Sequence, residues 1–226
     1  MTDDAIVTAA EAEPEVLEDS EEIDLDAPTE HQRAGGATRG LSLLLTIGGA
    51  IGFVAAFTLL FERIQLFKDP SYVPSCSFNP VLSCGSVMET SQASAFGFPN
   101  PIIGVASFAA VTTIGVALLG RVVLPRWFWL GLQAGTVFGA GFVTWLAHQS
   151  LYSIEKLCPY CMVVWTVMIP IFVYVTAHNV QAGHIPAPVG VRNFLVRNRA
   201  LIVLAWYLVI VTAILIKFWD YWSTLI

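Results

Sequence analysis

A chain of 226 residues that is 56% hydrophobic and only 12% charged, with a mean hydropathy of +0.69, lies outside the range of ordinary soluble domains and takes a bilayer as its solvent. The formal charge of −6 does not point to a basic partner or to nucleic acid. Most of the acid falls between Asp3 and Glu30, and the rest of the chain is basic.

The first segment, residues 1–40, combines those carboxylates with Pro14, Pro28, Gly35, Gly36 and Gly40 and contains no Phe, Trp or Tyr. Such a stretch cannot bury enough apolar surface to offset the entropy of ordering, and it reads as a disordered acidic tail. It lacks the basic start and immediate apolar run of a secretory signal. No internal repeat and no nucleotide-binding glycine motif follows it.

Beyond the tail, five apolar runs are each long enough to cross a hydrocarbon core, which takes roughly 20 helical residues. They cover residues 41–61, 102–120, 127–147, 158–177 and 200–219. Lipid offers backbone amides no partner, so each run is expected to be a helix despite its glycines and β-branched residues. The expected fold class is an all-α integral membrane protein. A four-helix core occupies residues 41–178 with a long connection at 62–101. A loop follows at 179–199, then a fifth transmembrane helix and short tail at 200–226.

Basic residues in short loops are retained on the cytoplasmic side. With the N-terminus inside, Arg33, Arg39, Arg121, Arg126, Arg192, Arg197 and Arg199 are cytoplasmic, and only Arg63, Lys68, Lys156 and Lys217 face out. The expectation is a multi-pass protein of the cell inner (plasma) membrane with its 62–101 connection outside. All four cysteines then share the outer face, because Cys76 and Cys84 lie in that connection and Cys158 and Cys161 open the fourth helix. An oxidising compartment suits disulfide chemistry.

Cys158-Pro159-Tyr160-Cys161 carries the sharper signal. Two sulfurs one turn apart at a helix N-terminus can close a disulfide, and the unpaired amides and dipole there favour a thiolate. Pro159 fits an early helical position, where its missing N–H costs nothing. Cys161 points deeper into the bilayer than Cys158, so a lipid-soluble acceptor meets Cys161 first and a loop thiol meets Cys158 first. Three chemistries remain open from the spacing alone: a redox pair, a structural disulfide capping a helix, or half of a four-cysteine zinc site. The zinc reading asks for a second close pair, and Cys76 and Cys84 are eight positions apart.

The run from Cys76 through Asn79-Pro80 to Cys84-Gly85, followed by Phe96-Gly97 and Asn100-Pro101-Ile102-Ile103-Gly104, resembles the first loop and second-helix start of the vitamin K epoxide reductase family. Cys158-Pro159-Tyr160-Cys161 resembles its active-site motif. The likeness covers residues 41 to 178 and is closest to stand-alone bacterial, actinobacterial-type members.

This resemblance implies a quinone-dependent oxidoreductase that makes disulfides. A secreted or membrane-anchored thioredoxin/DsbA-like partner gives electrons to the loop pair, and the helix pair passes them to a membrane quinone, menaquinone before ubiquinone. Cys76 is then attacked by the partner, Cys84 attacks Cys158, and Cys161 reduces the quinone; no metal is implied. Thr90 occupies the position of a small hydroxyl residue that binds a quinone oxygen, and neighbouring Ser91 is its substitute. Asn100 stands where animal members carry a quinone-binding asparagine, or is a polar turn residue between Pro99 and Pro101. Trp165 replaces a tyrosine and supplies an aromatic wall, unless it simply packs its helix. Residues 91–98 read either as a lid lying on the membrane surface or as a loop with scattered apolar residues. Many members carry a fused thioredoxin-like domain after the fifth helix, so a separate partner polypeptide is expected here.

Overall fold

The computed structural model describes residues 27–223. In chain order these form a capped helical turn α1 (Glu30–Arg33), a long helix α2 (Arg39–Lys68), a short helix α3 (Cys84–Met88) and a 3-10 turn (Ser91–Ser94). There follow α4 (Pro101–Leu119), α5 (Arg126–Gln149) continued by a π turn (Ser150–Ile154), α6 (Pro159–Gln181), α7 (Val189–Lys217) and a terminal turn α8 (Trp219–Ser223). Five of these are long and apolar enough to cross a membrane, and the protein is an all-α multi-pass membrane protein.

Four helices make the bundle. α2 packs on α4 and α6, and α5 closes the other side of α6. α7 leans mainly on α6 and buries none of its residues. The α2–α4 contact depends on small residues, as expected where lipid supplies no hydrophobic drive and helices gain by close backbone approach. The Phe108 ring covers Gly52, and Gly115 faces the backbone of Thr46, where a Cβ would come within 2.4 Å of the Thr46 nitrogen. Gly115→Val is therefore expected to force the two helices apart at a cost of about 1–3 kcal/mol. Thermal unfolding in detergent should show a midpoint several degrees lower; an unchanged midpoint would mean the helices do not meet there.

The elements differ from the sequence expectations at three places. The acidic tail expected over 1–40 falls mostly outside the described residues, but its last part is packed. A capping box between Thr29 and Gln32 starts α1, Gln32 donates to Gln181, and the buried Trp129 indole donates to the Gly35 carbonyl at 2.9 Å. A buried indole N–H needs an acceptor, and only a folded-back segment can offer that carbonyl. Second, α2 runs seven residues past its apolar run, which shortens the expected 62–101 connection to 69–100. Third, α7 begins at Val189, inside the region expected as the 179–199 loop. Once nucleated, a helix adds residues cheaply, so polar ends extend past the apolar core that hydropathy detects.

Candidate active site

The end of α2 anchors the site. Leu59, Glu62 and Leu66 recur at helical spacing, and the two leucines pack on the cysteine cluster. Glu62 between them is buried, and its carboxylate accepts hydrogen bonds from the Tyr72 hydroxyl at 2.8 Å and the Ser75 hydroxyl at 2.5 Å. A buried carboxylate needs such donors, and these two fix the backbone that leads into Cys76.

From Cys76 the chain makes a tight turn. The Asn79 side chain accepts from the amides of Val81 and Leu82, an Asx turn reinforced by Pro80. The returning segment then makes an isolated bridge with the residues before α6: Leu157 N–H donates to the Val81 carbonyl at 2.8 Å, and Ser83 N–H donates to the Leu157 carbonyl at 2.9 Å. Lys156 adds a bond from its ammonium to the Pro80 carbonyl. These contacts join the loop to the segment immediately before Cys158.

The consequence is a line of sulfurs. Cys76 and Cys84 form a disulfide, the Cys84 and Cys158 sulfurs stand 3.1 Å apart, and Cys158 and Cys161 are free. Cys158 is the N-cap of α6, with extended backbone, Pro159 in the first turn, and the Cys161 amide donating to its sulfur at 3.4 Å. Cys76, Cys84 and Cys158 are all almost fully buried. Such an array can pass a disulfide from one pair to the other, because a thiolate in contact with a disulfide sulfur is the geometry that exchange requires.

The thiol of Cys158 is held below the ordinary thiol range by the hydrogen bond with Cys161, assisted by the amides of Cys161 and Tyr160 and opposed by burial. A thiol so held leaves a mixed disulfide more readily, which favours release of Cys158 when a loop thiol displaces it.

Beside the sulfurs lies a cavity of about 520 Å³ between α2, α4, α5 and α6. Its wall is overwhelmingly apolar, with Phe108, Leu132, Trp165 and Met168 deep in the bundle and both Cys158 and Cys161 at one end. The volume is that of a site for one small apolar ligand. Phe142 of α5, one of its lining residues, packs on the Phe96 ring at 5.5 Å between ring centres, with Phe138 also in contact.

The sequence candidates distribute as follows. The four cysteines come together. Thr90, Asn100 and Trp165 line the cavity. Ser91 does not: it is exposed on the 3-10 turn, and its hydroxyl donates to Gln92. Asn100 is buried but committed to the loop, donating to the Gln92 carbonyl at 2.7 Å and accepting from the Ala95 amide at 3.0 Å. Glu62 and Arg63 were missed by the sequence reading, which ended the first helix at residue 61. Their signal was two charges next to an apolar run, and charges at the edge of a membrane span are functional candidates.

The family model for the vitamin K epoxide reductase family matches residues 43–176, more than half of the chain. No curated protein matches the chain. Members of that family are membrane thiol–disulfide oxidoreductases that use quinones.

Proposed function

The chain belongs to the vitamin K epoxide reductase family, and on that premise we propose that it oxidises a thioredoxin/DsbA-like partner outside the cell membrane and delivers the electrons to a membrane quinone, menaquinone before ubiquinone. The observation that carries this reading is the contact between the Cys84 and Cys158 sulfurs at 3.1 Å, which bridges two couples 74 residues apart in sequence.

The relay runs inward. A partner thiolate attacks Cys76 and releases Cys84; the partner's second thiol then resolves that bond and leaves as a disulfide, with the loop pair reduced. Cys84 next attacks Cys158 of the oxidised helix pair and releases Cys161. Cys76 displaces Cys158 from Cys84, which restores the loop disulfide and leaves Cys158 and Cys161 as thiols. That distribution of one disulfide and two free thiols is the one present in the structure. A bound quinone takes up the two electrons and two protons released when Cys158 and Cys161 close again. The apolar cavity beside those sulfurs suits such a ring, and Trp165 forms part of its wall. The arginines in the loops at the opposite end support a reading in which this end of the bundle is the outer one.

Purified protein mixed with a reduced thioredoxin-like partner and a soluble quinone should bleach one quinone for each partner disulfide formed, and only while all four cysteines are present. An intact chain that leaves several quinones unbleached with several such partners overturns the proposal.

A further inference from the structure

A quinone presents two carbonyl oxygens, which accept hydrogen bonds and donate none, so a cavity that orients one needs a donor in its wall. Several polar groups that reach this cavity are already committed. Thr90 donates its hydroxyl to the Val87 carbonyl at 2.8 Å, and Thr136 donates to the Gln133 carbonyl at 2.9 Å. The Asn100 amide donates to Gln92 and accepts from Ala95.

Arg63 is different. It lines the same cavity, its guanidinium lies over the Phe67 ring at 4.4 Å, and one Nη donates to the Met88 carbonyl. Its Nε is enclosed with no acceptor, so the donors it can offer the cavity are the remaining Nη–H groups of the guanidinium. Met88 packs in the cluster that surrounds Cys84 and Cys158, so the bond to its carbonyl pins the guanidinium toward the sulfur end of the cavity.

The geometry points to Arg63 as a residue that contacts the quinone, an Nη–H donating to a carbonyl oxygen and its charge stabilising that oxygen as electron density builds there. Closure of the Cys158–Cys161 disulfide releases two electrons and two protons, and all four leave with the quinone as quinol. Arg63 gives a hydrogen bond and no proton. This inference rests on the quinone reading above.

The test compares wild type, Arg63→Met and Arg63→Lys with two ligands of one shape: duroquinone, and durene, the tetramethylbenzene that lacks oxygen. Quenching of Trp127 and Trp165, both in the cavity wall, reports duroquinone binding, and competition reports durene. Arg63→Met is expected to weaken duroquinone about tenfold or more, the scale of a lost charge-assisted hydrogen bond, while durene binding stays within about twofold. Arg63→Lys, which keeps the charge and loses the planar guanidinium fork, should fall between. Placed in the Cys76→Ser, Cys161→Ser background, both variants should still form the Cys84–Cys158 bridge, which shows that the fold survives. Equal duroquinone affinity in wild type and Arg63→Met overturns the role of Arg63 and leaves the quinone reading standing. Equal losses for duroquinone and durene also overturn it, since the residue then only shapes the cavity. A wild type that binds no duroquinone removes the quinone reading and this inference with it.

Discussion

Cys161→Ser is expected to oxidise one equivalent of reduced partner and then stop, with quinone reduction lower by about a thousandfold or more, as for members of a catalytic unit. The loop disulfide is intact in this variant, so a partner dithiol can still reduce it once. Nothing then restores that disulfide, because Cys158 alone cannot form the second couple. Rapid mixing with reduced partner, followed by counting of partner disulfides, separates the single burst from continued turnover. Sustained turnover would show that Cys161 is dispensable and that the acceptor is reached by another route.

Cys84→Ser is expected to fail earlier and to show no burst. Without Cys84 the loop holds no disulfide, so the partner finds nothing to reduce at Cys76, and the relay gives it no other entry to the helix pair. Loss of steady-state turnover should match that of Cys161→Ser, but the partner should remain fully reduced in the first cycle. Binding of duroquinone should survive, since Cys84 does not line the cavity. A stoichiometric burst in Cys84→Ser would mean that the partner reads the helix pair directly and that the loop pair is structural.

These contrasting outcomes follow from a geometry that the sequence revealed only in part. Hydropathy located the five spans because a bilayer imposes length and backbone satisfaction on each segment separately. The C-x-x-C pair was legible because its chemistry is local: Cys158, Pro159 and Cys161 occupy one helical turn, and the turn itself favours a thiolate. The approach of Cys84 to Cys158 was not local. It depends on the Asn79 turn, the paired backbone of Val81, Ser83 and Leu157, and the Lys156 contact, none of which has a periodic signature.

Polar residues were the least legible. Glu62 and Arg63 follow the last apolar residue of a span, where a hydropathy reading stops counting, although the helix continues to Lys68. There they diverge by one residue in sequence and by function in space, Glu62 holding the Cys76 loop and Arg63 meeting the cavity wall. Asn100 shows the opposite problem. Its place in the motif suggests a ligand contact, but both ends of its amide are occupied by the residues 92–95 turn. The packing of residues 29–37 against Trp129 and Gln181 was invisible because the segment has no aromatic residue or apolar run of its own, and only the partner groups elsewhere in the chain order it.

The central claim is that electrons pass between the two cysteine couples through Cys84 and Cys158. The most direct measurement is mass spectrometric mapping of disulfides in the Cys76→Ser, Cys161→Ser double variant, purified from membranes after alkylation of free thiols. The relay predicts one species, a Cys84–Cys158 bridge that dithiothreitol opens with a shift on a gel. Finding both thiols alkylated and no such bridge would contradict the relay.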